Sequence, residues 1–282
     1  MSENPLGKQT QYPQQYDAAL LYPVPRLLNR KQLGLDADVL PFSGFDHWRA
    51  YELSWLLKGG KPVVAMADIF VPCESPFLIE SKSMKLYFNS LNQHEFADHE
   101  SVQNCIVEDL SRAAGKPVQV SLYELSAGLS GTLHTAQPSH TVISLDSLQL
   151  DVSAYQPDVS LLKLAKTGSD THGNVSETVV SDLFRSNCPI TAQPDWGTIS
   201  ISYNGAAISH ASLLSYIISF RQHEGFHEHC VEKIYCDIQR VCAPKSLTVS
   251  INFLRRGGLE INPVRSSEAE TLTKPLPRLL RQ

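Results

Sequence analysis

The chain has 282 residues, of which 42% are hydrophobic and 19% charged, and this is the composition of a folded protein with one large domain or two of ordinary size. Its formal net charge of -5 excludes an overall positive electrostatic potential that would attract the phosphate backbone of a nucleic acid, so we expect no direct nucleic-acid partner. There is no basic-then-apolar leader and no window approaching the roughly 18 apolar residues of a membrane span, which predicts a cytoplasmic protein without a membrane partner.

An internal repeat organises the chain. The sequence QHE at residues 93–95 aligns with QHE at residues 222–224, a separation of about 129 residues. At a similar separation, PVQVSLYEL at 117–125 aligns with SLTVSINFL at 246–254. Two related halves suggest a pocket between them, although duplication without a functional seam is the plainer alternative.

Each half has strands on both sides of a helix. In the first half, a β-rich run at 62–71 precedes an apolar stripe from Val102 to Leu110, which Gly115 and Pro117 end. In the second, TISISY at 198–203 precedes a stripe from Val231 to Cys242. We therefore predict an α+β fold of two modules, each an antiparallel sheet with helices packed on one face. Surface loops are expected at residues 126–140 and 164–178.

Charged residues interrupt the apolar segment LIESKSMKLYFNS at residues 78–90. One interpretation is an amphipathic segment with a solvated face. The other is a site in which Ser81, Lys82 and Lys85 bind phosphate while Glu80 holds a polar substrate.

Cys188 lies in RSNCPITAQPDW, among polar residues and two prolines. Pro189 and Pro194 prevent a regular helix, so the segment can double back and bring the carboxyl group of Asp195 to the sulfur. A catalytic thiol needs such a partner to move protons. A free cysteine in a turn is the alternative, and the six cysteines contain no CxxC pair that would indicate a zinc ribbon.

The segment HEGFHEHCVEK at residues 223–233 holds three histidines and three glutamates near a helix start. Its acidic residues fit an ordinary first helical turn. The spacing HxxxHxHC matches no established zinc motif, so no metal is predicted. A further interpretation is recognition, because a carboxylate in a pocket wall can accept two N–H groups from a guanine-like edge.

Near the end of the chain, NFLRRGGLEINP places Arg255 and Arg256 before two glycines, which suits either an exposed β-turn or close approach to an anionic group. The chain contains no GxGxxG fingerprint, so a nicotinamide cofactor would not bind on a Rossmann fold.

Taken together, these segments resemble the long, two-module form of the 7-cyano-7-deazaguanine reductase family. The resemblance spans residues 6–282 and is carried by LGKQTQY, YDAALLYPVPR, ESKSMKLYFNS, SNCPITAQPDW, FHEHCVEKI, RRGGLEINP and PRLLRQ. Each piece alone is unspecific, but the set in this order is highly specific. It implies two tandem tunnelling-fold modules at 46–145 and 181–282, with an N-terminal extension at 1–45 and a linker and surface loop at 146–180.

The resemblance also implies a chemistry and its residues. Cys188 would form a covalent thioimide with the nitrile of a deazapurine substrate, and Asp195 would donate the proton. Homodimerisation and reduction by NADPH are implied as well. The substrate would contact Ile79, Glu80, Ser81, His227 and Glu228, and NADPH would contact Ser81, Lys82, Arg256 and Gly257.

Three other functions remain open at this stage. A zinc-dependent hydrolase of a purine or pterin would need a metal. A cysteine amidase that hydrolyses a nitrile would consume no NADPH. A non-enzymatic purine-binding module would not need Cys188. The sequence does not decide the exact roles of Lys85, His223, His229 and Arg255.

Overall fold

A computed structural model describes residues 13, 15–36, 39–125, 142–165, 174–268 and 276–282. The loop expected at 126–140 lies outside these residues, as does the middle of the loop expected at 164–178.

The strands are β1 (Pro23–Pro25), β2 (Ser43–Leu57), β3 (Pro62–Pro72), β4 (Phe77–Ile79), β5 (Glu95–Phe96), β6 (Gln119–Glu124), β7 (Val142–Ser144), β8 (Asn174–Asn187), β9 (Pro194–Ala206), β10 (Ser246–Phe253) and β11 (Leu259–Ser266). The helices are α1 (Leu27–Gln32), α2 (Ser81–Ser90), α3 (His99–Ala114), α4 (His210–Ser219) and α5 (His227–Cys242). Short 3-10 turns occur at Ala18–Leu20, Leu91–Gln93, Val159–Leu161 and Phe220–Gln222.

One large sheet runs through both halves of the chain in the order β6-β3-β2-β11-β10-β9-β8-β7. The two halves join where β11 pairs antiparallel with β2, in a ladder from Leu259 opposite Ala50 to Ser266 opposite Ser43. Most pairings are antiparallel, as predicted, but β7 runs parallel to β8, and the short β5 runs parallel to the end of β2. The two halves therefore share a continuous backbone hydrogen-bond network.

The helices of both halves lie on the same face of this sheet. Trp48 on β2 belongs to the buried cluster that includes the apolar residues of α2 and α3. Trp48 lies opposite Ile261 on β11, and Arg265, four residues further along the same strand, binds Glu232 on α5. Because side chains an even number of residues apart on a strand share a face, all these helices pack on one side. The α+β prediction is confirmed at this level.

The internal repeat recurs in the positions of the helices. Helix α2 and the turn at Leu91–Gln93 have counterparts in α4 and the turn at Phe220–Gln222, about 129 residues later. Their interactions correspond too: the hydroxyl groups of Ser90 and Ser219 each donate to the carbonyl three residues earlier, at 2.6 Å in both halves. Strand β8 runs without interruption through residues 180–181, where the sequence analysis expects the linker to end and the second module to begin.

Candidate active site

A pocket opens where the start of α2, from the first half, faces the β8–β9 turn, the start of α5 and the β10–β11 turn, from the second. The residues that the family resemblance assigns to the site all line this pocket: Ile79, Glu80, Ser81, Lys82, Cys188, Asp195, His227, Glu228, Arg256 and Gly257. Lys85 also lines it, together with the apolar side chains of Leu78, Ile190, Phe226, Leu254, Leu259 and Ile261. The pocket expected between the two halves is therefore present, with lining residues from both halves.

The β8–β9 turn places Cys188 and Asp195 on one hairpin. Asn187 ends β8 and Pro194 begins β9, so Asp195 lies in the strand and not in the loop that the two prolines suggested. The backbone N–H of Cys188 donates to the carbonyl of Gln193 at 2.9 Å. This turn holds the half-buried thiol and the 5% exposed carboxylate against the same pocket.

The other cysteines are poorer nucleophiles, because the thiolate is the reactive form. Burial raises the pKa of Cys73, Cys230 and Cys236 to about 12 and that of Cys242 to about 11. None of these four lines the pocket, nor does Cys105. Of the six cysteines, Cys188 is therefore the one placed for chemistry here.

Two side chains, Arg256 and His227, contact the Asp195 carboxylate. Arg256 Nη2 lies 2.8 Å from Oδ1, and His227 Nε2 lies 3.4 Å from the same oxygen. The His227 ring stacks on Phe253, with centroids 3.6 Å apart, and its Nδ1 lies 3.2 Å from the carbonyl oxygen of Ile261. Both ring nitrogens of His227 therefore lie near oxygen atoms, and the stacking fixes the plane of the ring.

Glu228 lies beside His227 in the first turn of α5, with only 4% of its surface exposed. Burial, and then the nearby charge of Asp46, raise its pKa to about 7, while Arg26 and His227 oppose that rise. A carboxylate held in this way lacks solvent partners and can accept donors from a ligand instead.

A buried ionic network lies near Glu228, and the sequence analysis did not predict it. Arg26 pairs with Asp46, and Arg265 pairs with both Asp46 and Glu232, which also binds Arg30. All five side chains are at most 4% exposed. The network fixes the N-terminal segment and α5 to the seam between β2 and β11.

Glu80 caps its own helix. Its carboxylate accepts from the backbone N–H groups of Lys82, at 2.9 Å, and Ser83, at 2.7 Å. This N-cap explains locally why α2 begins at Ser81. It also fixes the direction in which Ser81 and Lys82 enter the pocket rim.

Three cations gather at that rim, namely Lys82, Lys85 and Arg256. The Nζ atom of Lys85 donates to the carbonyl of Gly257 at 2.8 Å. Gly257 has a φ of 56°, a backbone conformation that favours glycine, and a Cβ atom there would come within 2.7 Å of Lys85 Nζ and displace that side chain. The rim fits the phosphate groups of a nucleotide cofactor, because its three cations line a pocket that also has apolar side chains.

The remaining residues without assigned roles lie elsewhere. His223 and His229 pack against each other with ring centroids 5.9 Å apart; burial lowers the pKa of His223 to about 4, and it lowers that of His229 as well. Arg255 stacks over Tyr51.

Across the described ranges, no three or more His, Cys, Asp or Glu side chains are arranged as a metal site. No helix in the described part of the chain has the length and apolar character needed to cross a bilayer.

An α+β fold in which a thiol, three carboxylates and three cations line one pocket is typical of an enzyme acting on a small molecule. Two family models match the chain: "Nitrile reductase, 7-cyano-7-deazaguanine-reductase N-term" over residues 12–122 and "QueF-like protein" over residues 194–271. The chain belongs to the 7-cyano-7-deazaguanine reductase family.

Individual relatives agree with this assignment. Proteins named NADPH-dependent 7-cyano-7-deazaguanine reductase from Burkholderia orbicola (strain MC0-3) and Burkholderia lata are each 49% identical over 97% of this chain and 95% of their own length. A solved structure, the archaeosine synthase QueF-Like in the apo form, is 19% identical and aligns with a TM-score of 0.30 over 34% of this chain and 95% of its own. That last likeness is too low to bear on the fold.

Proposed function

We propose that this chain reduces the nitrile of 7-cyano-7-deazaguanine to the primary amine with NADPH, as a step in queuosine biosynthesis. The observation that carries the proposal is that Cys188 and Asp195, on one hairpin, line the same pocket as Glu228 and the cations of the rim. Near-full-length relatives at 49% identity carry the name of this activity. The resemblance found in the sequence leads to the same reaction.

The chemistry begins with covalent capture. Asp195 takes the proton of the Cys188 thiol, the sulfur adds to the electrophilic nitrile carbon, and Asp195 returns the proton to the nitrogen, which gives a thioimide without a leaving group. The cofactor, when bound, supplies two hydrides, one per NADPH. The nitrogen would gain one proton with each hydride. Between the two reductions, the C–S bond breaks as this nitrogen loses a proton and Cys188 leaves as the thiol, so a C=N bond forms again. Apolar side chains exclude the water that would hydrolyse this imine.

The remaining site residues bind and orient the ligands. We assign the deazaguanine to Ile79, Glu80, Ser81, His227 and Glu228, with the Glu228 carboxylate accepting the ring N–H and the exocyclic amine. We assign the cofactor to Ser81, Lys82, Arg256 and Gly257, where the cations match the charge of its phosphates.

We further propose the finer organisation that the family resemblance implies. It consists of two tandem tunnelling-fold modules, at about residues 46–145 and 181–282, in a cytoplasmic homodimer. The equivalent helices α2 and α4 support the duplication. The strands at the two ends of the sheet, β6 and β7, offer edges for further pairing.

Mixing the purified protein with 7-cyano-7-deazaguanine and NADPH tests the function. We expect two NADPH oxidised per amine released, followed by cofactor absorbance and product mass. Ammonia and a carboxylic acid, with no NADPH consumed, would instead identify a nitrile hydrolase. Loss of activity on chelation, with about one zinc per chain, would identify the metal-dependent alternative.

A further inference from the structure

Arg256 binds three successive residues of the hairpin that carries Cys188. Its Nη2 lies 2.8 Å from Asp195 Oδ1 and also donates to the carbonyl of Pro194, and its Nη1 donates to Gln193 Oε1 at 3.3 Å. The Arg256 side chain is 38% exposed, whereas that of Asp195 is 5% exposed. The nearest counter-charge of this buried carboxylate therefore comes from the open mouth of the pocket.

The same guanidinium belongs to the cationic rim. Lys85 binds the backbone of Gly257, the residue after Arg256, and Lys82 lines the pocket beside them. A phosphate group at this rim competes with Asp195 for Arg256, because it offers more charge and a matching bidentate geometry. Arg256 thus has two possible partners, one on the hairpin and one among the ligands.

Other groups also face Asp195. From α5 these are His227, at 3.4 Å, and the more distant Cys230 and Glu228, while Cys188 shares its hairpin. From the α2 side, Glu80, Lys82 and Lys85 line the same pocket. Among these described neighbours, Arg256 alone makes a permanently charged contact with the Asp195 carboxylate, so its removal changes the proton affinity of that carboxylate most directly.

We propose that Arg256 exchanges partners during turnover, an inference that rests on the proposed nitrile reduction. Before the cofactor binds, Arg256 holds Asp195 as a carboxylate, the form that takes the proton of the Cys188 thiol. When a cofactor phosphate draws the guanidinium away, Asp195 loses its counter-charge and takes up a proton from solvent. That proton then passes to the substrate nitrogen as the carbon receives hydride, so cofactor binding converts the base of the first step into the acid of the second. Arg256 is in this sense a positioning residue for Asp195 as well as a cofactor ligand.

Proton linkage on binding NADP⁺, which cannot reduce the substrate, tests this exchange. Calorimetric titrations near pH 7 in two buffers of different ionisation enthalpy should show that the wild type takes up protons. Asp195→Asn should bind NADP⁺ with that uptake lost, and Lys82→Ala should bind more weakly with the uptake retained at saturation. Equal uptake in wild type and Asp195→Asn, or none in wild type, would overturn the exchange. Failure of the folded wild type to bind NADP⁺ would instead contradict the proposed function.

A second measurement follows thioimide formation by mass spectrometry across pH without cofactor. In Arg256→Gln, which keeps a neutral hydrogen-bond donor, the fall in rate on the acid side should move to higher pH, because an unpaired carboxylate is protonated more easily. NADP⁺ should move the wild-type profile in the same direction and leave the variant unchanged. Arg255→Gln removes the same charge one residue away and should behave as wild type. Superimposable profiles for wild type and Arg256→Gln would exclude the proposal.

Discussion

Arg30 and Glu232, 202 positions apart in the chain, form a buried two-pronged ion pair. The Nε and Nη2 atoms of the arginine donate to the two carboxylate oxygens at 3.0 and 2.6 Å, and both side chains are 4% exposed. Arg265 binds the same carboxylate from β11. The helix that begins with His227 and Glu228 is therefore fixed from the N-terminal segment and from the sheet at once.

Glu232→Gln should destabilise the fold by about 3 to 5 kcal/mol, because it leaves buried arginines without a counter-charge. Although burial alone would raise it, Arg265 and Arg30 lower the pKa of Glu232 to about 2, from an ordinary value of 4.5. This stabilisation is present above about pH 4.5 and is lost as pH falls towards 2, so the difference from wild type should shrink over that range. Urea unfolding at several pH values measures it. The control Glu108→Gln, which affects an exposed pair with Arg112, should cost below about 0.5 kcal/mol.

Glu228→Gln should weaken deazaguanine binding by about 1 to 3 kcal/mol, because an amide turns a donor toward one of the ligand's N–H groups. The same change should stabilise the empty protein at high pH. Because its pKa is raised to about 7, Glu228 contributes stability that is present below its ordinary value of 4.5 and lost as pH rises through 7. We expect the melting temperature of the variant to exceed that of wild type increasingly from pH 5 to pH 8. Calorimetry and thermal melts check both effects, and the exposed Glu224→Gln should change neither. Unchanged affinity would make Glu228 an ordinary helix-start residue.

Protein incubated with 7-cyano-7-deazaguanine alone should gain the whole substrate mass on Cys188, because addition to a nitrile releases no leaving group. Cys188→Ala should gain nothing, whereas Cys236→Ala should gain the full mass. Asp195→Asn should form the adduct about a hundredfold more slowly, since the nitrogen lacks a positioned acid. Intact-protein mass spectrometry and peptide mapping follow the reaction. An adduct on another cysteine would refute the assignment.

Lys82→Ala should raise the NADPH concentration needed for half-maximal rate and leave nitrile capture intact, because capture needs no electrons and Lys82 makes no described contact with Asp195. Arg256→Ala should raise the same requirement, but its contact with Asp195 predicts that capture is disturbed too. Steady-state kinetics and adduct mass separate the two variants. Lys116→Ala, outside the pocket lining, serves as the control. An adduct lost in Lys82→Ala with normal folding would contradict its assignment to the cofactor.

Periodicity in the sequence was sufficient for α3, α5 and the repeat, but the surface loop expected at 164–178 is wrong at its end, because β8 begins at Asn174. Helix α5 contains the whole predicted stripe from Val231 to Cys242, and α3 ends at Ala114, just before Gly115 takes a left-handed φ of 75°. The site residues could be predicted only from the family resemblance, which depends on several motifs in a fixed order. No local sequence pattern shows which loops of the two halves lie close together in the fold.

The buried charges could not be found in this way. Arg26 and Arg30 look like surface residues of an N-terminal extension, and their partners Asp46 and Glu232 lie in other elements. Glu232 is the one residue that could have indicated a buried charge from the sequence, because it lies within the apolar stretch of α5. Likewise, the sequence suggested a phosphate role for Arg256, and only the folded chain brings it to Asp195.

The β2–β11 ladder also limits how the pocket can open. Its walls belong to different halves, yet those halves are joined by eight paired positions in the middle of one sheet. A rotation of the two halves away from each other would break backbone hydrogen bonds in the middle of the sheet. The free energy lost in this way is not compensated by ligand contacts at the rim. Admission of substrate and release of product must therefore use small movements of the Cys188–Gln193 turn and of the long rim side chains, with the backbone frame left unchanged.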